Sequence, residues 1–176
     1  MNNFFCKYLT FTLLLALFSC GEPSKPNVQP TTRPDMKKSM EVANRYIVKD
    51  EEQDIENYIK RHGIAMEATG TGLRYAILKR GDSQLIADGD KVSLEYELKS
   101  IMGDVIYTSE NDGIKSFVVG DGSVEAGLDE VVRHLHRGDL AKVIIPSHLA
   151  YGLHGDDRSI PEYATLVYTI KIIDNQ

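Results

Sequence analysis

Cysteine is nearly absent from this 176-residue chain: Cys6 and Cys20 are the only two, and both lie within the first twenty residues. Everything downstream therefore lacks a disulfide framework, a cysteine-based zinc site and a thiol nucleophile. Clusters of Lys and Arg are missing too. With 20 basic against 26 acidic residues the formal net charge is −6, which disfavours a nucleic acid as partner. Long apolar runs are also missing. The longest, Tyr8–Phe18, has 11 residues, where a membrane-spanning helix needs roughly 20.

The usual constellations of enzyme chemistry are absent as well. Gly120-Asp121-Gly122 resembles the start of a phosphate loop, but the next glycine is Gly127. That spacing is not G-x-G-x-x-G, and a turn before a helix explains it better. There is no G-x-S-x-G nucleophile elbow. Of the five histidines, His134 and His136 are two apart on an expected helix, so their rings do not face each other. With no second ligand pair, no metal site is expected, and no cofactor. Either the chain is a binding module, or its chemistry uses no ionising group.

What is present begins with an address. Lys7 followed by the Tyr8–Phe18 run reads as a signal-peptide core. The ending Leu17-Phe18-Ser19-Cys20 resembles a bacterial lipobox. It implies cleavage after Ser19 and lipid on Cys20, and hence a membrane lipoprotein of the bacterial envelope facing the periplasm. Residues 1–19 are thus read as signal peptide. Residues 20–34, with Pro23, Pro26, Pro30 and Pro34, are read as a solvated tether.

Residues 35–63 read as a helical stalk. Met36, Met40, Ala43 and Ile47 fall at helical spacing; Ile55, Tyr58, Ile59 and His62 resume it, and Gly63 is a C-terminal stop. The charge run Asp50–Asp54 between the two patches is either a solvated face or part of a helix that pairs with a second copy or a partner. From Thr69 the period changes to two. Leu73, Tyr75 and Ile77, then Val92, Leu94, Tyr96 and Leu98, alternate with polar neighbours. Further strands are expected over 104–108, 116–119, 140–145 and 166–173, with Asn111-Asp112-Gly113 as a turn. One helix interrupts them, with Leu128, Val131, Val132 and Leu135 on one face and Gly138 as its stop. One striped helix against several half-buried strands predicts an α+β domain: an antiparallel sheet packed over one short helix.

Several separated motifs of the last hundred residues occur in order. They are Val124-Glu125-Ala126-Gly127-Leu128, Gly138-Asp139, Ile145-Pro146, Ala150-Tyr151-Gly152, Ile160-Pro161 and Ala164-Thr165-Leu166-Val167-Tyr168, with Tyr96 on an early strand. Over residues 70–176 this pattern resembles the FKBP-type peptidyl-prolyl cis-trans isomerases. With its lipobox and stalk, the whole chain looks like the gliding-motility-associated isomerase lipoproteins. The resemblance implies an antiparallel sheet of about five strands half-wrapped around one short helix. It also implies proline-containing polypeptide clients, a role in folding exported proteins, and no cofactor.

Carried over position by position, Tyr96, Val124, Leu128, Ile160 and Tyr168 would form apolar walls. Tyr151 would donate its hydroxyl to a substrate carbonyl, and the backbone N–H of Glu125 to another. Ile106 and Tyr107 stand where the family has an aromatic wall and an acidic residue, Lys115 where it has phenylalanine, Glu125 where it has isoleucine, and Glu162 where it has a second proline. These departures leave two alternatives, an isomerase or a catalytically weak module that binds proline-containing partners. The stalk helix is a candidate surface for self-association.

Overall fold

The computed structural model describes residues 33–81 and 83–173. The signal-peptide and Cys20 expectations lie outside the described residues. The chain divides into two units at Met40. Of the first, residues 33–40 are described; they are helical, and Met36 and Met40 are exposed. The helix containing them, α1, runs Arg33–His62, so Arg33 and Pro34 are already helical. Gly63 follows it with φ +60°, a backbone conformation that ends helices cheaply only at glycine.

The second unit is a sheet with β1 (Glu67–Ala68), β2 (Arg74–Lys79), β3 (Lys91–Ser100), β4 (Val105–Thr108), β5 (Lys115–Val118), β6 (Leu140–Ile145) and β7 (Leu166–Ile173). Every pairing is antiparallel. The order is β1-β2-β6-β7-β3-β4, with β5 also on β3. A one-turn helix α2 (Ser109–Asp112) follows β4, and α3 (Ala126–Val132) covers one face. The expected helix–sheet arrangement is observed, with two small additions. The two-residue β1 is too short to show a period, and α2 is a turn capped by the Thr108 side chain, which accepts from the Asn111 N–H. The covering helix also ends at Val132, before Gly138. Leu135 stays fully buried in the turn that follows it.

Period-two patterning places Val92, Leu94, Leu98, Val143, Tyr168, Ile170 and Ile172 under α3, against Leu128, Val131 and Val132, in one continuous core. Helix and sheet approach closely at Gly127, where an added Cβ would lie 2.4 Å from Ile145 Cγ2.

The opposite face is covered as well. Ile144 on β6 and Val167 on β7 are register partners that point away from the main core. They bury Ile55 and Tyr58 of α1, with Ile59, Met66 and Ile101 around them. The acidic run of α1 is therefore not simply solvated. Glu51 accepts from the Ser147 N–H, the Ser147 hydroxyl and the Thr165 hydroxyl, at 2.6, 3.1 and 2.6 Å. Glu52 pairs with Arg74. The acidic turn has backbone and hydroxyl donors beyond the end of β6 as its partners, so the C-terminal half of α1 belongs to the domain.

Candidate functional site

Strands β3, β4 and β7, the entrance to α3 and the loops after β6 meet at one side of the sheet. Tyr96 comes from β3, Ile106 and Tyr107 from β4, and Tyr168 from β7. Val124 and Glu125 come from the turn before α3, Leu128 from its first turn, and Tyr151 and Ile160 from the long connection between β6 and β7. Leu128, Ile160 and Tyr168 are buried in the main core. Tyr96, Ile106, Tyr107, Val124 and Tyr151 pack against it, partly open. The Tyr96 and Tyr168 rings lie 6.0 Å apart, tilted by 53°. A cleft of about 440 Å³ opens here, lined by Lys115, Ser116, Ser123, Val124, Glu125, Ala150 and Tyr151. The nine residues singled out from the sequence thus share one region.

A site free of ionising groups is not what the structure holds. Glu125 stands at the N-cap of α3, yet its carboxylate makes no cap bond. It turns into the cleft, where Oε1 accepts from the Tyr151 hydroxyl at 2.6 Å and from the Tyr168 hydroxyl at 2.8 Å. Lys115 Nζ lies 3.2 and 3.4 Å from its two oxygens. The side chain is only 4% exposed. A carboxylate is stable at such a depth only when donors replace its lost water. Burial pushes the Glu125 carboxyl up. The Lys115 ammonium, the Tyr151 hydroxyl, its own backbone N–H and the Tyr168 hydroxyl outweigh that, so it titrates below the usual 4.5. Burial and the neighbouring carboxylate push both tyrosines the other way, upward.

Two residues that the motifs did not single out complete the site. The first is Lys115, whose ammonium stands 5.5 Å from the Tyr96 ring centroid and 5.9 Å from that of Tyr168, a favourable cation–π placement. The second is Asp156. Tyr107 stands where the motif resemblance would place an acid, and its hydroxyl donates to Asp156 Oδ2 at 2.5 Å. Asp156 Oδ1 accepts the N–H groups of Arg158, Ser159 and Ile160. The β6–β7 loop is thereby tied to β4, and Ile160 is held in the core. The only sequence signal for Asp156 was negative, the missing acid at Tyr107.

Among the described residues no group of three His, Cys, Asp or Glu is placed to hold a metal ion, and no helix is long and apolar enough to cross a membrane. His134 stacks on Tyr75, and His136 meets Arg80.

Comparison with known proteins agrees with this geometry. A family model described as FKBP-type peptidyl-prolyl cis-trans isomerase matches residues 82–173. A probable FKBP-type peptidyl-prolyl cis-trans isomerase FkpA of Neisseria meningitidis is 36% identical over 109 residues, covering 61% of this chain and 39% of that protein. The FKBP-type 22 kDa peptidyl-prolyl cis-trans isomerase of Escherichia coli is 28% identical over 120 residues, 68% of this chain and 57% of its own. The chain thus spans less than two thirds of these relatives. The crystal structure of AtFKBP13 superposes with a TM-score of 0.61 at 24% identity, covering 64% of this chain and all of that one. Sheet, covering helix and family match converge: the chain belongs to the FKBP-type peptidyl-prolyl cis-trans isomerase family.

Proposed function

We propose that this chain is a peptidyl-prolyl cis-trans isomerase that turns X-Pro bonds of exported polypeptides from a lipid anchor on Cys20. The observation that carries it is the meeting of the Tyr96 and Tyr168 rings with Tyr151, beside the core that holds Leu128 and Ile160. An X-Pro bond prefers trans by only ~0.5–1 kcal/mol, yet exchanges over tens to hundreds of seconds. Its barrier of ~18–20 kcal/mol arises from the partial double-bond character of the C–N bond. The twisted imide loses that resonance and is less polar than the planar one. Water favours the planar form; an apolar cleft shaped for the twisted form reverses the bias, and each ~1.4 kcal/mol of difference is tenfold in rate. The partly open Tyr96, Ile106, Val124 and Tyr151 would supply such surface, and no proton needs to move.

A coupled isomerisation assay on Ala-X-Pro-Phe peptides tests the reading. Acceleration that disappears on combining Tyr151→Phe with Tyr168→Leu is the expected result; none at all from the wild-type chain refutes it. A second reading, a module that binds proline-containing partners without turning them over, is favoured by one observation. The Tyr151 hydroxyl is already given to Glu125. Binding without acceleration would select it.

The envelope role extends the proposal. A lipoprotein tethered at Cys20 would work on the periplasmic side on folding clients, including those of a gliding apparatus. The stalk helix α1 is the element proposed for self-association. Release from membranes by Cys20→Ala is the expected behaviour of the anchor.

A further inference from the structure

Lys115 is the first residue of β5, and its ammonium turns inward. Nζ stands between two aromatic faces and the Glu125 carboxylate. Lys115 lines the cleft beside Val124, Ala150 and Tyr151, so a proline ring entering there and this ammonium cannot share that space. Building on the isomerase reading, we propose that Lys115 is a specificity-determining residue. The incoming proline displaces it to the rim, where it favours clients carrying a carboxylate next to that proline.

The two charges of the pair are unequally placed. The Lys115 side chain is 25% exposed and that of Glu125 4%, so a client meets the lysine. Glu125 remains underneath with two hydroxyl donors, Tyr151 and Tyr168, after the lysine has moved. A lysine stem is long and its ammonium is readily hydrated, so the rotation outward is open to it. Of the other charges near the cleft, the carboxylates keep their charge but have donors of their own. Asp156 is occupied by the Tyr107 hydroxyl and three backbone N–H groups. Asp112 accepts the Thr108 N–H, and Asp121 accepts the N–H and hydroxyl of Ser123. Arg158 lies 5.9 Å from the Tyr107 ring and takes no part in the ion pairs found among the described residues. The acids are engaged by their own backbone, while Lys115 and Arg158 present their charge to whatever enters.

The test uses the full chain and three peptides on one scaffold, with Glu, Gln or Lys flanking the proline, placed before it in one set and after it in another. Both affinity and kcat/KM are read, in a protease-free assay at low salt. An exposed ion pair corresponds to roughly a threefold effect. The expected order in at least one set is Glu above Gln above Lys, about threefold at each step, flattening in high salt as screening sets in. Lys115→Met should shrink the Glu-to-Lys ratio to about twofold, the part left to Arg158. Peptides that rank equally, a Lys peptide that ranks first, or a ratio that survives Lys115→Met would overturn the proposal. Salt dependence of the wild-type chain decides the matter even if the variant fails to fold. Charge-ordered affinity without turnover would sink the isomerase reading and keep this one. Turnover without charge order would do the reverse.

Discussion

Replacing Glu125 by leucine removes the acceptor on which three donors converge, and the structure sets the size of the effect. Lys115 can turn to water, so losing its partner costs little. Tyr151 is half-buried and recovers part of its bond from solvent. Tyr168 is fully buried, and its hydroxyl would be stranded; an unsatisfied buried donor costs ~1–3 kcal/mol. Losing one partner of a buried charged group is typically worth ~3–5 kcal/mol. The escape of Lys115 and the apolar gain of the leucine lower that, so about 2–3 kcal/mol of destabilisation is expected.

Urea unfolding with two-state analysis reads this directly. With a slope of ~1–3 kcal/mol/M, the midpoint should fall by roughly 1–2 M. The decisive number is the coupling. Tyr168→Phe alone should cost about 1–2 kcal/mol. In the Glu125→Leu background it should cost nothing or stabilise, because the hydroxyl it removes has no partner left. If the two substitutions add, or if Glu125→Leu is as stable as the wild type, then the carboxylate does not sit between these hydroxyls, and the account of the cleft fails.

Three further outcomes are expected. The Glu125 carboxyl is lowered in the folded chain, so its contribution is complete above the unfolded value near 4.5 and is lost as pH falls through the lower folded value. The stability gap between wild type and Glu125→Gln, about 1–2 kcal/mol at pH 7 from charge-assisted bonding, should therefore narrow as pH is lowered below 4.5; a gap independent of pH would contradict this. Gly127→Ala places a methyl 2.4 Å from Ile145 Cγ2 and should destabilise by about 1–3 kcal/mol through overpacking, visible as a lower Tm, with an unchanged Tm counting against the close contact. Glu51→Ala strips the Ser147 and Thr165 donors of their acceptor and should cost about 1–2 kcal/mol. It should also speed amide exchange around Ile55 and Tyr58; unaltered exchange there would mean that α1 is not held through this carboxylate.

Much of the domain was legible because its signals are local. Strands such as Leu140–Ile145 and Leu166–Ile173 follow from alternation and from the block at Pro146, and their observed bounds are those expected. The short covering helix follows from the stripe Leu128, Val131, Val132. Features that depend on partners distant in the chain were not legible. The acidic turn of α1 looks solvated until β6 and β7 bring Ser147 and Thr165 to Glu51. Likewise, Glu125 in an otherwise apolar motif and Lys115 in place of an aromatic residue read as two separate departures. They are a single compensated change, since each makes the other tolerable in the cleft. Complementary charges ten positions apart, on a strand and at the next helix entrance, were the available signal, but periodicity does not weigh residues so spaced.

The compensation bears on how such a cleft could work. A tyrosine hydroxyl has one proton to donate, and a carboxylate is a stronger acceptor than an amide carbonyl. While Glu125 is ionised, the Tyr151 proton stays with it, and a client carbonyl competes poorly for the same hydroxyl. Glu125 Oε1 also keeps its two hydroxyl donors when Lys115 moves, so an imide in the cleft would meet the apolar surface of Val124 and Ala150. Rotation in this cleft would then depend on shape and dehydration, with little help from a hydrogen bond to the carbonyl. Tyr151 would act chiefly by holding Glu125 in place, and through it the wall that the proline meets.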